Sequence, residues 1–335
     1  MVGAFFKVKR SGGFHLTYNL KETIIHLDYE TRWSMLPNPA LRRLGYSNQD
    51  RVVIIHADDI GMCQASVEAY ADLFACGGIT SGAVMVPCSW FPAAAALQTR
   101  FPKADLGVHL TLTSEWRSYR WGAISTRDPK SGLLDDLGYF PATSQQVQTN
   151  ADPGYVFTEM AAQVNRAIQA GINPTHIDTH MGTVAHPKFM LDYLHLAVQN
   201  RIPAMMFRMD EKGWLEAGVD SDTAKQASLL IQSLEAQSVP LLDHLRSMPL
   251  KSPNDRFETA KQIFSDLPSG ITHFIIHPSK DSPELRAIAD DWACRVEDYE
   301  LFKTKQMQNF LKSEGIQLIG YHALAKIMPE KVIDF

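Results

Sequence analysis

Long hydrophobic runs are missing from this chain. No apolar stretch approaches the roughly 20 residues that a bilayer-spanning helix needs, so no membrane segment is expected. Basic runs are missing too: 32 Lys and Arg stand against 37 Asp and Glu, for a net charge of −5. That balance offers no electrostatic footprint for nucleic acid. Cysteine is scarce, and Cys63, Cys76, Cys88 and Cys294 show no C-x-x-C spacing. A structural zinc knuckle is thereby disfavoured, and the four read as buried thiols of a reducing compartment. Lys7, Lys9 and Arg10 are followed by no long apolar segment, so no signal peptide is expected and the cytoplasm is the default location. There is no internal repeat, and a homo-oligomer is compatible with everything in the composition. What is present is 335 residues at 45% hydrophobic content, enough for one large α/β domain or two smaller ones.

From residue 51 onward, short apolar runs alternate with helical patterns. Strands are expected at Val52–Ile55, Thr80–Val86, Asp105–Thr113, Pro174–Thr179, Pro203–Arg208, His273–Ile276 and Ile316–Ile319. Between them, Ser66–Cys76, Trp90–Gln98, Ala151–Ala170, Pro187–Asn200, Asp222–Ala236, Asp255–Asp266 and Glu297–Ser313 read as helices. This alternation predicts an α/β fold with a parallel sheet, open or closed into a barrel. Residues 1–50 are irregular and read as an N-terminal extension packed on the outside, with 51–330 as a single domain. A long segment at 114–150 carries Trp116, Tyr119, Trp121, Tyr139 and Phe140. Loops of that length are usually functional or disordered, and five aromatics argue against disorder.

The chemistry gathers where strands end. Arg51–Gly61 runs from four aliphatics into His56, Asp58 and Asp59, then into Ile60-Gly61. One Asp after a strand is explained by capping the next helix; two, with a histidine before them, are not. His109 lies in Gly107-Val-His-Leu-Thr-Leu-Thr113, where the small neighbours on its strand face leave room for a bound species. In Thr175-His-Ile-Asp-Thr-His180, His176, Asp178 and His180 follow period two. Fully extended, the two histidines would stand roughly 13 Å apart and could not hold one ion. His180 at the strand end is the better ligand, and Asp178 or His176 the better partner behind an imidazole. His277 closes another apolar strand. In a parallel sheet these four ends share one side of the molecule, so they become one expected site. An Asp with two neutral His suits a catalytic divalent ion and leaves room for water and substrate, which points to metal-assisted hydrolysis.

These motifs resemble the YdjC/ChbG family of carbohydrate deacetylases. The resemblance rests on His56-Ala-Asp-Asp-Ile-Gly61, Gly107–Thr113, Thr175–His180 and His277-Pro278, in the family's order over about 51–280; the looser Arg295…Asp298-Tyr-Glu300 is also similar. It implies a distorted (β/α) TIM-like barrel of parallel strands that removes the N-acetyl group of an amino sugar. Asp59, His109 and His180 match metal ligands, Asp58 the base that takes the proton of the attacking water, and His277 the acid for the departing amine. His56 stands where many members carry Asn and is read, with His176 and Asp178, as support behind these groups. Magnesium is the family's common metal, while two imidazoles favour zinc, manganese or cobalt. The partner implied is a small N-acetylated saccharide, with Trp116, Tyr119 and Trp121 offering faces for a sugar ring. A metal-dependent phosphoesterase or amidohydrolase, or a non-catalytic carbohydrate-binding relative, is the alternative. After His180 the chain reads Met181-Gly-Thr-Val-Ala-His186, unlike chitobiose-type members, which continue with further histidines.

Overall fold

The strand that organises the domain is β1, Arg51–Ile60, whose Val52, Val53, Ile54 and Ile55 are all at most 1% exposed. A run that is apolar on both faces belongs at the centre of a parallel sheet. A computed structural model, describing residues 37–251 and 254–332, puts it there. The other strands are β2 (Ser81–Val84), β3 (Leu106–Leu110), β4 (Ile177–Thr179), β5 (His244–Ser247), β6 (Gly270–Ile276) and β7 (Gln317–Leu318). They run in the order β4-β3-β2-β1-β6-β5 with every pairing parallel, and β7 pairs with the first half of β1.

Closure comes from residues 203–208, expected as an ordinary strand. They form only isolated parallel bridges, Ala204 with Ile177 of β4 and Phe207 with Leu242 just before β5. Main-chain bonds hold both sides, Met205 N to Ile177 O at 2.8 Å and Arg208 N to Leu242 O at 2.8 Å. The sheet therefore curls into the expected distorted (β/α) barrel, with its weakest seam at this segment. The polar stretch of β5 gave no strand signal in the sequence, because His244, Leu245 and Arg246 are only half-buried.

One expected helix is confirmed with a neighbour added, and another is split. Ala151–Ala170 is found as Pro153–Gln169, with Pro153 in its first turn and Asp152 capping it through the Gly154 and Tyr155 N–H groups, and a separate helix, Ser144–Asn150, lies at the end of the stretch expected to be irregular. Glu297–Ser313 becomes Trp292–Phe302 and Lys305–Ser313, with Thr304 capping Met307 N. At the amino ends of the strands a short helix, Pro39–Arg43, buries Ala40 and Leu41 against Val52, Ile54, Ile271 and Tyr321. The remainder of the expected extension, residues 1–36, lies outside the described residues. Among the described residues no helix is long and apolar enough to cross a membrane.

Candidate active site

In parallel α/β barrels the carboxyl ends of the strands carry the chemistry, because the strands fix position and the following loops vary. The carboxyl ends of β1, β3, β4 and β6 carry the polar residues here. Adjacent residues on a flat strand point to opposite faces, so Asp58 and Asp59 need a device to face one site. The sequence suggests the turn at Ile60-Gly61; the structure differs. β1 continues through Ile60, and Asp59 itself takes the left-handed conformation, φ 61°, where the register against β2 slips between Ala57 and Ile60. Such an irregularity re-aims a side chain, and Asp tolerates positive φ better than most residues.

Asp59, His109 and His180 are thereby brought together, all buried. Asp59 Oδ1 lies 3.1 Å from His180 Nδ1 and 3.4 Å from His109 Nε2, and the two nitrogens are 3.3 Å apart. Asp59 Oδ1 has no hydrogen-bonding geometry to either, a buried acceptor left open. Donors 2.0–2.1 Å from a tetrahedral zinc are spaced about 3.3 Å from one another, so this triangle fits a divalent ion. The residues behind it complete the fit. Asp178 Oδ1 meets His109 Nδ1 at 2.9 Å, leaving Nε2 for the triangle, and Glu115 accepts from His180 Nε2 at 3.2 Å. Arg295, from the helix Trp292–Phe302, donates to Asp59 Oδ2 at 2.7 Å and to Asp291.

Electrostatics follow from these contacts. Burial pushes the Asp59 carboxyl up, but Arg295 and then His180 outweigh it and hold it well below the usual range. Asp58 is likewise held down: burial opposes, while His109, the hydrogen bond and charge of His56, and His277 prevail. Burial alone would lower His180, yet Glu115 and Asp59 raise it to about 9. His109 is raised as well, against burial, by Asp178 and Asp58.

Asp58 Oδ1 sits 2.6 Å from His56 Nδ1, and its Oδ2 is 3.7 Å from His109 Nε2. His56 and Asp178 form a second buried group with Asp58 and His273. His176 and His180, kept apart by strand geometry, serve different places: His176 lies deeper, with His56 Nε2 at 2.8 Å from its Nε2. The space beside His109 that Gly107 suggests is for a ligand is filled instead by the His176 ring. His277 follows β6, donates its backbone N–H to Asp298, and has a buried Nδ1 with no partner among the described residues. His186 caps the helix Pro187–Gln199 through Lys188 N and stands outside both clusters.

Of the aromatics, Trp121 is buried and donates its indole N–H to Thr113 O at 2.8 Å, so it anchors the long loop and offers no open face. Trp116 and Tyr119 pack edge-on against it, half-buried, with Arg295 5.6 Å from the Trp116 ring. Sequence reasoning missed Glu115, although an acid two residues beyond Thr113 obeys the same strand-end logic. It also missed Arg295 as the partner of Asp59, and His273 and Tyr321 behind His56; contacts across that much chain leave no local signal.

The profile of the YdjC-like protein family matches residues 52–313. A carbohydrate deacetylase of Thermus thermophilus is 32% identical, over 77% of this chain and 88% of that protein. One from Thermoanaerobacter pseudethanolicus is 21% identical, over 82% of this chain and 99% of that protein. Among solved structures, an Enterococcus faecalis protein described as a cellobiose-phosphate cleavage protein superposes with a TM-score of 0.67, at 22% identity, over 82% of this chain and 99% of that one.

Proposed function

The chain belongs to the YdjC-like family, and from that premise we propose that it is a metal-dependent carbohydrate deacetylase acting on the N-acetyl group of an amino sugar or oligosaccharide. One observation carries the reading: a three-donor set, Asp59, His109 and His180, with a second carboxylate, Asp58, turned toward it 3.7 Å from His109 Nε2. When bound at those donors, a divalent ion supplies Lewis-acid polarisation of a carbonyl and makes water a stronger nucleophile at neutral pH. Magnesium, zinc, manganese and cobalt all accept such donors, and the two imidazoles favour the last three.

The chain's own residues do the rest. Asp58 is ionised at working pH, with Oδ1 occupied by His56 and Oδ2 left to take a proton from the attacking water. His277 delivers a proton to the departing amine. Arg295 and Glu115 hold Asp59 and His180 in position. Trp116 and Tyr119 form the rim against which a sugar ring packs, with Trp121 as their support. A phosphoesterase would need a free cation for its substrate, and Arg295 is already committed to Asp59 and Asp291. A purely carbohydrate-binding protein has no use for a base held by an imidazole.

The test is acetate release from N-acetylglucosamine oligomers, alongside a phosphodiester, before and after chelation and metal restoration. Chelator-sensitive acetate release, cut about 10²–10⁴-fold by Asp58→Asn with metal content unchanged, is the expected result. Phosphodiester hydrolysis without acetate release, or full turnover by Asp58→Asn, overturns the reading.

A further inference from the structure

A line of buried polar groups crosses the barrel from the amino ends of its strands to Asp58. Just before β3, Asp105 accepts from Thr175 Oγ1 at 2.6 Å and Ser81 Oγ at 2.8 Å on one oxygen, and from the His322 backbone N–H at 2.7 Å on the other. Thr175 Oγ1 is 2.9 Å from His176 Nδ1, His176 Nε2 is 2.8 Å from His56 Nε2, and His56 Nδ1 is 2.6 Å from Asp58 Oδ1. We propose that Asp105, Thr175, His176 and His56 form a hydrogen-bond chain of fixed direction that sets both imidazole tautomers and stations one proton between His56 and Asp58.

The direction follows from counting hydrogens. A carboxylate surrounded by donors only accepts, so Thr175 spends its one hydroxyl hydrogen on Asp105. Its oxygen can then only accept, which requires N–H at Nδ1 of His176. His176 is fully buried between His56 and the face of Tyr321, whose ring stacks at 3.8 Å; burial, then His56 and His273, push it well down and keep it neutral. Its Nε2 is therefore a bare acceptor, and His56 must bring N–H at Nε2. Among the described residues no other acceptor competes at hydrogen-bond distance, since Asp178 Oδ2 stands 3.7 Å away. What remains is His56 Nδ1 facing a carboxylate oxygen at 2.6 Å. Two bare acceptors repel at that distance, so a proton lies between them. Asp58 Oδ1 is thus occupied and its free oxygen is the one turned to His109.

His56 is accordingly a positioning residue for Asp58. That consequence rests on Asp58 being the base, whereas the tautomers do not. Proton–nitrogen correlation spectra of histidine-labelled protein read each tautomer, with His56→Gln and His176→Gln identifying the signals. Expected are N–H at Nδ1 alone for His176, and for His56 N–H at Nε2 with a further proton at Nδ1 or shared with Asp58. Thr175→Val should release the His176 tautomer, Thr175→Ser should preserve it, and kcat should fall roughly tenfold in Thr175→Val at unchanged KM and metal content. His176 found with N–H at Nε2, or unchanged by Thr175→Val, overturns the chain. Should Thr175→Val not fold, the wild-type and Thr175→Ser spectra decide it. Spectra as expected in a protein that releases no acetate would leave the chain standing and overturn only the deacetylase reading.

Discussion

Gly107→Ala is the substitution from which most can be learned. A Cβ at position 107 would lie 2.4 Å from Cε1 and Nε2 of His176 and 2.6 Å from its Nδ1. Ordinary contact between such atoms is about 3.5–4.0 Å, so the ring would have to move by about 1 Å. It has nowhere to go: Tyr321 stacks on it at 3.8 Å, and both nitrogens are bonded. Overpacking of this kind costs about 1–3 kcal/mol. Tearing the ring from His56 strands a buried polar group at about 1–3 kcal/mol more. Against a net stability of about 5–15 kcal/mol that is a severe lesion for one methyl group. Thermal unfolding followed by circular dichroism should show a midpoint lowered by at least about 4 °C, at about 2–4 °C per kcal/mol for a large domain. The cause is checked by the pair Gly107→Ala and His176→Ala. Combined, they should lose clearly less than the two losses together, because one clash cannot be relieved twice. A Gly107→Ala protein melting within about 1 °C of wild type, or strict additivity, would refute the account of why glycine stands there.

His180→Ala should lose bound metal and turnover together, as elemental analysis and acetate release would report. In the chelated protein His180 titrates near 9 and His109 above its ordinary value, so protons compete for both nitrogens. Metal affinity should therefore climb as pH rises toward 9, and a flat profile in a calorimetric titration would contradict this. Arg295→Met strands the buried Asp59 carboxylate and should cost about 3–5 kcal/mol without metal, with a larger share restored by metal than in wild type. His322 is raised by its hydrogen bond to Asp105, against burial. Its folded value lies above the unfolded one, so its contribution is complete below about 6.5 and fades as pH rises through the raised value. Stability should decline slightly from pH 6 to pH 9 in wild type relative to His322→Gln; the opposite trend would reverse the assignment.

The strands that carry the site were legible because burial on both faces writes a continuous apolar run, as in Val52–Ile55, and a polar residue ending such a run stands out. Asp58, Asp59 and His277 are of that kind, whereas His109 showed inside an alternating strand and His180 at the end of a polar period-two stretch. Three things were not legible. The left-handed turn of the backbone at Asp59 depends on β2 pairing around it, so the two carboxylates looked as though the glycine after them must bend the chain. Gly107 looked like room for a ligand because its occupant, His176, belongs to another strand. Arg295 stands 236 residues from the carboxylate it grips, and no periodicity links them. A helix boundary failed where Thr304 starts a new helix inside what read as one, and the helix Ser144–Asn150 lay in a stretch that read as loop.

The grip of Arg295 on Asp59 bears on supply as much as on catalysis. With one oxygen of the carboxylate neutralised by a guanidinium and the remaining donors two imidazoles, the three donors themselves bring an arriving cation almost no net charge, and the negative field of the pocket comes from Asp58, Glu115 and Asp178 behind them. A divalent ion seated there would be neutralised mainly by carboxylates that do not bind it directly, which weakens its retention relative to a site with two directly bound carboxylates. Occupancy would then follow whatever free ions the surroundings provide, in the manner of an exchangeable reagent. Activity measured after purification would depend on the buffer, and the same polypeptide could run on different ions as their availability changes.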